Sequence, residues 1–289
     1  IHHYSKLTHQ FPPSTEGPLL LASCRSGTKM AKKVKAIYKD LFNDEDGVED
    51  IAFQAGIDFK FSDGETCIRL DQDVNGRDVF LFQALQDPTS VRNVDENYLA
   101  FMMGLRTFLE WGANRVTGVL PYLAYARQDK HTAGEREPIS VELMAELSIE
   151  AGLDRLIVWA PHDNRVHGFY GKVPVDTLQA IELFKNHYQA KKAQPDVIGV
   201  APDAGAASFM IPFCRAMKLH CAVTAKYRPE PERTAVTDIM GDFKDKKKAI
   251  ILDDMINTGG TVEAVVKKLN REKGIRKIWL GVSHFLGST

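Results

Sequence analysis

Short β-branched or apolar runs alternate along this chain with helix-patterned segments, and that alternation limits the folds open to it. Runs at 78–83 (DVFLFQ), 115–120 (RVTGVL), 156–160 (LIVWA), 197–201 (VIGVA), 221–225 (CAVTA), 249–252 (AIIL) and 277–282 (KIWLGV) read as strands. Between them lie helical patterns such as 97–112 (NYLAFMMGLRTFLEWG), 139–152 (ISVELMAELSIEAG) and 177–188 (TLQAIELFKNHY). Strands that take turns with helices form parallel sheets covered by helices. In the first of these helices Leu99, Met102, Met103 and the apolar residues of 105–109 form the expected core face.

The length of 289 residues and a hydrophobic fraction of 44% suit two ordinary domains better than one. A break near 175–178 divides the chain into an extension at 1–17, a first domain at 18–176 and a second at 177–289. Lys and Arg number 37 against 38 Asp and Glu, so no global field draws the chain to nucleic acid or to an anionic membrane. No apolar run reaches the roughly 18–20 residues of a spanning helix, and the first residues lack a signal-peptide core. Cys24, Cys67, Cys214 and Cys221 have neither CxxC nor metal-site spacing and read as reduced thiols of a cytoplasmic protein. His2 and His3, behind an initial Ile, are given no function.

Polar residues gather where strands end, in PYLAYARQDKH, WAPHDNRVHGFYG, APDAGAAS, TAKYRPEPER and LDDMINTGGT. Open α/β sheets bind ligands outside the carboxyl ends of their strands, so these ends mark one site. The last of them, within 247–269, is the most informative. Val262, Val265, Val266 and Leu269 give the following helix a buried face and put Thr261 at its N-terminus. Gly259 and Gly260 let backbone N–H groups face a ligand, and Thr258 and Thr261 add hydroxyls at the positive end of the helix dipole. That device holds a phosphate. Asp253 and Asp254 before it suit sugar hydroxyls or a hydrated Mg²⁺. An ordinary βα turn is the alternative for this segment alone. Neither GxxxxGK[ST] nor GxGxxG occurs, which disfavours P-loop kinases and dinucleotide dehydrogenases.

ILDDMINTGGT resembles the ribose-phosphate loop shared by type I phosphoribosyltransferases and ribose-phosphate pyrophosphokinases. FSDGET (61–66), PYLAYARQDK (121–130), PHDNRVHGFYGKVPVDTL (161–178), APDAGAA (201–207), KYR (226–228) and GDFKDKKKAIILDDM (241–255) resemble the pyrophosphokinase in the same order, across roughly 18–287. A simple transferase would share the last alone. The resemblance implies two similar phosphoribosyltransferase-like α/β domains, each a mainly parallel sheet flanked by helices, in a dimer-based, hexameric homo-oligomer. It further implies transfer of the β,γ-diphosphoryl group of ATP to O1 of ribose 5-phosphate, with Mg²⁺ and with AMP as the second product.

By the same resemblance Arg127, Gln128, Asp129 and His162 contact ATP, while Phe61, Asp63 and Glu65 read adenine, reaching into a neighbouring subunit. His162 and Asp203 are linked to the metal. Lys226 and Arg228 are the catalytic cations that open a mobile loop, suited to charge building on transferring phosphoryl oxygens. Arg228, Asp253, Asp254, Asn257, Thr258, Gly259, Gly260 and Thr261 bind ribose 5-phosphate. Taken alone, FSDGET is a hairpin turn, ARQD a surface turn and His162 a loop histidine.

The chain departs from the family at three places. Asn257 replaces the usual Asp; Arg165, Val166 and His167 stand where Gln-x-Gln is usual; and the sequence stops at HFLGST, short of the usual end. The rivals are a non-catalytic, synthetase-associated regulatory subunit and a phosphoribosyltransferase that consumes phosphoribosyl pyrophosphate. Retention of His162, Asp203, Lys226 and Arg228 opposes the first, and FSDGET with ARQDK opposes the second.

Overall fold

The computed structural model describes residues 16–42, 51–230 and 233–287, leaving out the side chains of Phe42 and of 226–237. One unit ends at Leu178 and a second begins at Gln179.

In the first unit β1 (Leu19–Ser23), α1 (Thr28–Phe42) and β2 (Ala52–Ala55) are followed by a small hairpin, β3 (Asp58–Lys60) and β4 (Thr66–Ile68). Then come β5 (Asp78–Phe82), α2 (Val94–Glu110), β6 (Arg115–Leu120), α3 (Ser140–Glu150), β7 (Arg155–Trp159), α4 (Val166–Phe169) and β8 (Val175–Leu178). The sheet order is β2-β1-β5-β6-β7-β8, parallel throughout. Strand β8 pairs with β7 from Val175 to Leu178, so Thr177 and Leu178 extend the first sheet and the next helix starts only at Ala180.

Helix α2 corrects one expectation. Its buried stripe is Tyr98, Phe101, Leu105 and Phe108, at helical spacing, whereas Leu99 and Leu109 are exposed. Three aromatic rings take the core-facing positions because they remove the most apolar area from water. An Asn93–Glu96 capping box fixes where the helix begins.

In the second unit α5 (Ala180–His187), β9 (Val197–Ala201), α6 (Ala207–Met217), β10 (His220–Glu230), β11 (Arg233–Met240), β12 (Lys248–Ile256), α7 (Gly260–Lys273) and β13 (Lys277–Phe285) follow in turn. The order is β11-β10-β9-β12-β13; β10 and β11 are antiparallel and the other pairs parallel. Ile198, Val200, Ile251, Val265 and Leu269 form part of its core, so the expected inner face of α7 is the one buried.

Each sheet has one place where the strand order reverses, and ligands of open α/β sheets lie at the carboxyl ends there. It falls between β1 and β5 in the first unit and between β9 and β12 in the second.

Candidate active site

Strand β12 is longer than its apolar run suggests. Pairing with β9 ends at Ile251, but pairing with β13 continues to Ile256, so Asp253 and Asp254 lie inside the strand, beyond the end of its β9 neighbour. Asp253 is buried, and its Oδ1 accepts from the Asp254 N–H at 3.0 Å. Burial, the hydrogen bond and charge of Asp254 and the charge of Asp203 push the Asp253 carboxyl up to about 7. Three carboxylates therefore share the crevice at the ends of β9 and β12. The Asp203 Oδ1 also accepts from the Ala206 N–H at 2.9 Å, which holds the turn leading into α6.

Immediately after β12 the chain turns into α7 through Asn257, Thr258 and Gly259. Gly259 sits at the N-cap with φ +76°, a left-handed conformation that L side chains rarely adopt. A Cβ at Gly260 would find nothing nearer than the Thr258 Oγ1 at 3.9 Å, so the space before the helix is open. No side chain caps this end of the fourteen-residue helix, leaving first-turn N–H groups and the positive dipole end for an anion. Asn257, Thr258 and Gly260 are exposed around it.

Lys226 and Arg228 have side chains outside the described residues. Their backbone lies in β10, with Lys226 opposite Val236 of β11, and Glu230 pairs with Arg233 beyond them. The PEPER stretch expected to form a lid thus joins two antiparallel strands; Pro231 and Glu232 themselves lie outside the described residues.

In the first unit, the loops after β6 and β7 carry Arg127, Gln128, Asp129 and His162. Arg127, Gln128 and His162 are exposed, but Asp129 has a side chain only 7% exposed. One guanidinium nitrogen of Arg165 reaches both Asp129, at 2.7 Å, and Asp163, at 2.9 Å, so a single cation fastens the two loops. The Arg165 N–H also donates to Asp163 at 2.8 Å, closing a local turn. That arginine holds the Asp163 carboxyl below its usual range. Ser140, at the start of α3, donates to the Gln128 side chain. Tyr125 and Ala160, one in each loop, have positive φ values of 64° and 40°, and such backbone outliers gather at functional sites. Tyr125 donates to Asp95, and that bond raises its phenol to about 12.

Phe61, Asp63 and Glu65 occupy the tip of the β3–β4 hairpin. The Phe61 N–H donates to the Glu65 carbonyl at 2.9 Å, Asp63 accepts from the Glu65 N–H at 3.1 Å, and Gly64 takes φ +94°. The Phe61 ring meets Phe59 edge-on at 5.3 Å and is 49% exposed. A well-formed hairpin therefore displays an aromatic face and two carboxylates to solvent.

His162 belongs to the first unit and Asp203 to the second, so each is placed only within its own unit. Among the described residues no three His, Cys, Asp or Glu side chains form a ready metal cage. The Arg165 clasp escapes sequence reading, although the Asp-x-Arg spacing at 163–165 is the signal that could have suggested a local turn. Among the described residues no helix is long and apolar enough to cross a membrane, and all four cysteines are free thiols.

Comparison with known proteins agrees with this layout. Residues 19–152 match the N-terminal domain of ribose phosphate pyrophosphokinase, and residues 176–286 match the phosphoribosyl transferase domain. Ribose-phosphate pyrophosphokinases from Mycoplasma genitalium and Clostridium acetobutylicum are 32% and 37% identical over 78% and 72% of this chain. The chain spans 65% and 64% of those relatives, just under two thirds of their own length. Against the Listeria ivanovii ribose-phosphate pyrophosphokinase the identity is 32% over 82% of this chain and 73% of the relative. The crystal structure of phosphoribosylpyrophosphate synthetase from Mycobacterium smegmatis superposes with a TM-score of 0.78 and 29% identity, covering 93% of this chain and 82% of that one. The chain belongs to the ribose-phosphate pyrophosphokinase family.

Proposed function

We propose that this chain is a cytoplasmic ribose-phosphate diphosphokinase, which makes 5-phosphoribosyl 1-pyrophosphate and AMP from ATP and ribose 5-phosphate. The observation that carries this reading is the carboxylate pair of β12 set directly before the open, glycine-led N-terminus of α7. A phosphorylated sugar fits it: N–H groups of α7 and the hydroxyls of Thr258 and Thr261 take the 5-phosphate, and Asp253 and Asp254 accept from ring hydroxyls.

In the reaction O1 of the sugar attacks the β-phosphorus of ATP and loses its proton. The bond from that phosphorus to the oxygen bridging to the α-phosphate breaks, and AMP leaves. Positioning and neutralisation of charge dominate such a transfer, a task for Lys226 and Arg228 on β10. Arg127, Gln128, Asp129 and His162 hold ATP, with Phe61, Asp63 and Glu65 contributed by the hairpin of a neighbouring copy. The hairpin's exposed tip suits that role, which makes a homo-oligomer part of the site.

The donor set also fits Mg²⁺. Asp203, Asp253 and Asp254 are hard oxygen donors, and their mutual repulsion, read in the raised Asp253, is what a divalent cation would relieve. Asp203 would hold the ion together with substrate phosphates, and when bound it would supply neutralising charge to the phosphate oxygens.

The test is AMP formation from Mg-ATP with and without ribose 5-phosphate, with GTP and CTP run beside ATP. AMP that appears only with the sugar is the expected result. No AMP from folded, oligomeric protein would move the assignment to the regulatory subunit, and pyrophosphate release on adding a base would move it to a phosphoribosyltransferase.

A further inference from the structure

Gly199, in the middle of β9, is buried beneath sulfur. A Cβ built on it would lie 2.2 Å from the Cys214 Sγ and 2.9 Å from the Met210 Sδ, so two side chains of α6 fill the space that any larger residue would need. Cys221 of β10 stands directly opposite Gly199 in the parallel β9–β10 pair. Opposite residues on neighbouring strands present the same face of the sheet, and the strands lie about 4.8 Å apart. The Cys214 sulfur, seated over Gly199, is therefore beside the Cys221 side chain. A tight reversal makes this meeting possible. Helix α6 ends at Met217, Lys218 takes a left-handed φ of 54°, and the Leu219 N–H returns to the Cys214 carbonyl at 2.9 Å. Strand β10 then begins at His220 and carries Cys221 back against the helix the chain has just left.

The two thiols are not equivalent. Cys214 is buried, with its sulfur 3.4 Å from the Met210 Sδ, whereas Cys221 is half-buried. A hydrogen bond from Cys214 lowers the Cys221 thiol below its ordinary value, and the same bond together with burial pushes Cys214 up. A partly accessible thiol favoured as thiolate, in contact with a second that keeps its proton, is the arrangement of an attacking cysteine and its resolving partner. Cys24 has no such character: it is buried, and burial and the charge of Asp58 hold its thiol well up.

We propose that Cys214 and Cys221 are an oxidative modification site, at which hydrogen peroxide forms a reversible disulfide between α6 and β10. The Cys221 thiolate attacks one peroxide oxygen and the O–O bond breaks; the departing hydroxide takes a proton and leaves as water, and Cys221 becomes a sulfenic acid. The Cys214 sulfur then attacks the sulfenic sulfur. The S–OH bond breaks, hydroxide leaves with the Cys214 proton as a second water, and the S–S bond forms. Two thiols and one peroxide thus give one disulfide and two waters, the sulfurs being oxidised and the peroxide reduced. The bond ties the end of α6 to the start of β10, the strand that carries Lys226 and Arg228 further on.

The experiment treats the folded full chain with hydrogen peroxide, unfolds it in excess iodoacetamide and maps its tryptic peptides by mass without reduction. Trypsin cuts after Arg215 and Lys218, so the bond shows as peptides 193–215 and 219–226 joined, two hydrogens lighter than their sum. This joined pair is expected to form before the thiols of Cys24 and Cys67 are lost, and to separate on adding dithiothreitol. In Cys214→Ser, dimedone should label Cys221, because the sulfenic acid then has no resolving thiol. In Cys221→Ser, loss of the Cys214 thiol should slow about tenfold, because the attacking thiolate is gone. Loss of all four thiols together, loss of Cys67 first, or oxygen added at Met210 while Cys214 and Cys221 stay alkylated overturns the proposal. Mapping of the unsubstituted chain decides it even where a serine variant fails to fold. The measurement needs no turnover, so it stands or falls separately from the proposed reaction.

Discussion

The crevice at the ends of β9 and β12 and the loops after β6 and β7 handle charge in opposite ways. In the first, Asp203, Asp253 and Asp254 crowd together and Asp253 is held near neutrality by burial and by its neighbours. In the second, the exposed Arg165 sits between Asp129 and Asp163, and opposite charges satisfy one another across the two loops. A site of crowded like charges gains by taking up a cationic or hydroxyl-bearing ligand, because folding has left its electrostatics unfavourable. A self-satisfied pair gains nothing from a ligand by itself and serves instead to hold loops in place. On the proposed reading the two regions separate the chemistry from the positioning.

The largest effect should come from the chemical side. Lys226→Ala is expected to lower kcat by about three orders of magnitude, on the scale of losing a preorganised transition-state donor. The fold and ribose 5-phosphate binding should stay largely intact. Steady-state rates alongside circular dichroism check this, and near-normal turnover would remove Lys226 from the mechanism.

Next is the crowded carboxylate itself. A carboxyl with a folded-state pKa of about 7 holds a proton that the unfolded chain has released from about pH 4 upward, so folding loses stability as pH rises between those values. Asp253→Asn removes that penalty. Its melting temperature should exceed that of the parent chain at pH 8 by several degrees, three pH units being worth up to about 4 kcal/mol, and the gap should shrink at pH 5. Ribose 5-phosphate should bind the variant more weakly at both pH values. A gap that stays constant with pH would show that Asp253 ionises normally and would break the contrast between the two regions.

Much of this contrast was legible in the sequence, and the residues show why. Gly259, Gly260 and the apolar stripe of α7 obey local rules, since a left-handed turn and a helical period depend on near neighbours. The FSDGET hairpin was legible for the same reason. The extension of β12 through Asp253 and Asp254 was not, because it depends on pairing with β13 about thirty residues later. Leu99 and Leu109 looked like core because periodicity cannot rank two overlapping stripes, and the aromatic stripe of Tyr98, Phe101 and Phe108 took the sheet-facing side. The Arg165–Asp129 clasp joins two loops across 36 positions, a separation at which spacing carries no information.

The smallest effects test the positioning side, where two of the unusual residues can be set against each other. Arg165→Gln leaves the nearly buried Asp129 without its cation and releases the loop carrying Arg127 and Gln128. The KM for ATP should rise about fivefold, near 1 kcal/mol, with kcat and the KM for ribose 5-phosphate unchanged. Arg165→Lys should recover part of the loss, since Lys keeps the charge but not the planar fork. His167→Gln should change the KM for ATP by less than about twofold. The His167 ring bonds the Thr177 hydroxyl at 2.9 Å, and a glutamine amide can make the same bond, while the nearby Asp176 keeps its partner Arg155. If the two substitutions cost the same, the clasp does not position ATP and the loops hold their form without it; if only Arg165 matters, the paired charges set the nucleotide side of the site.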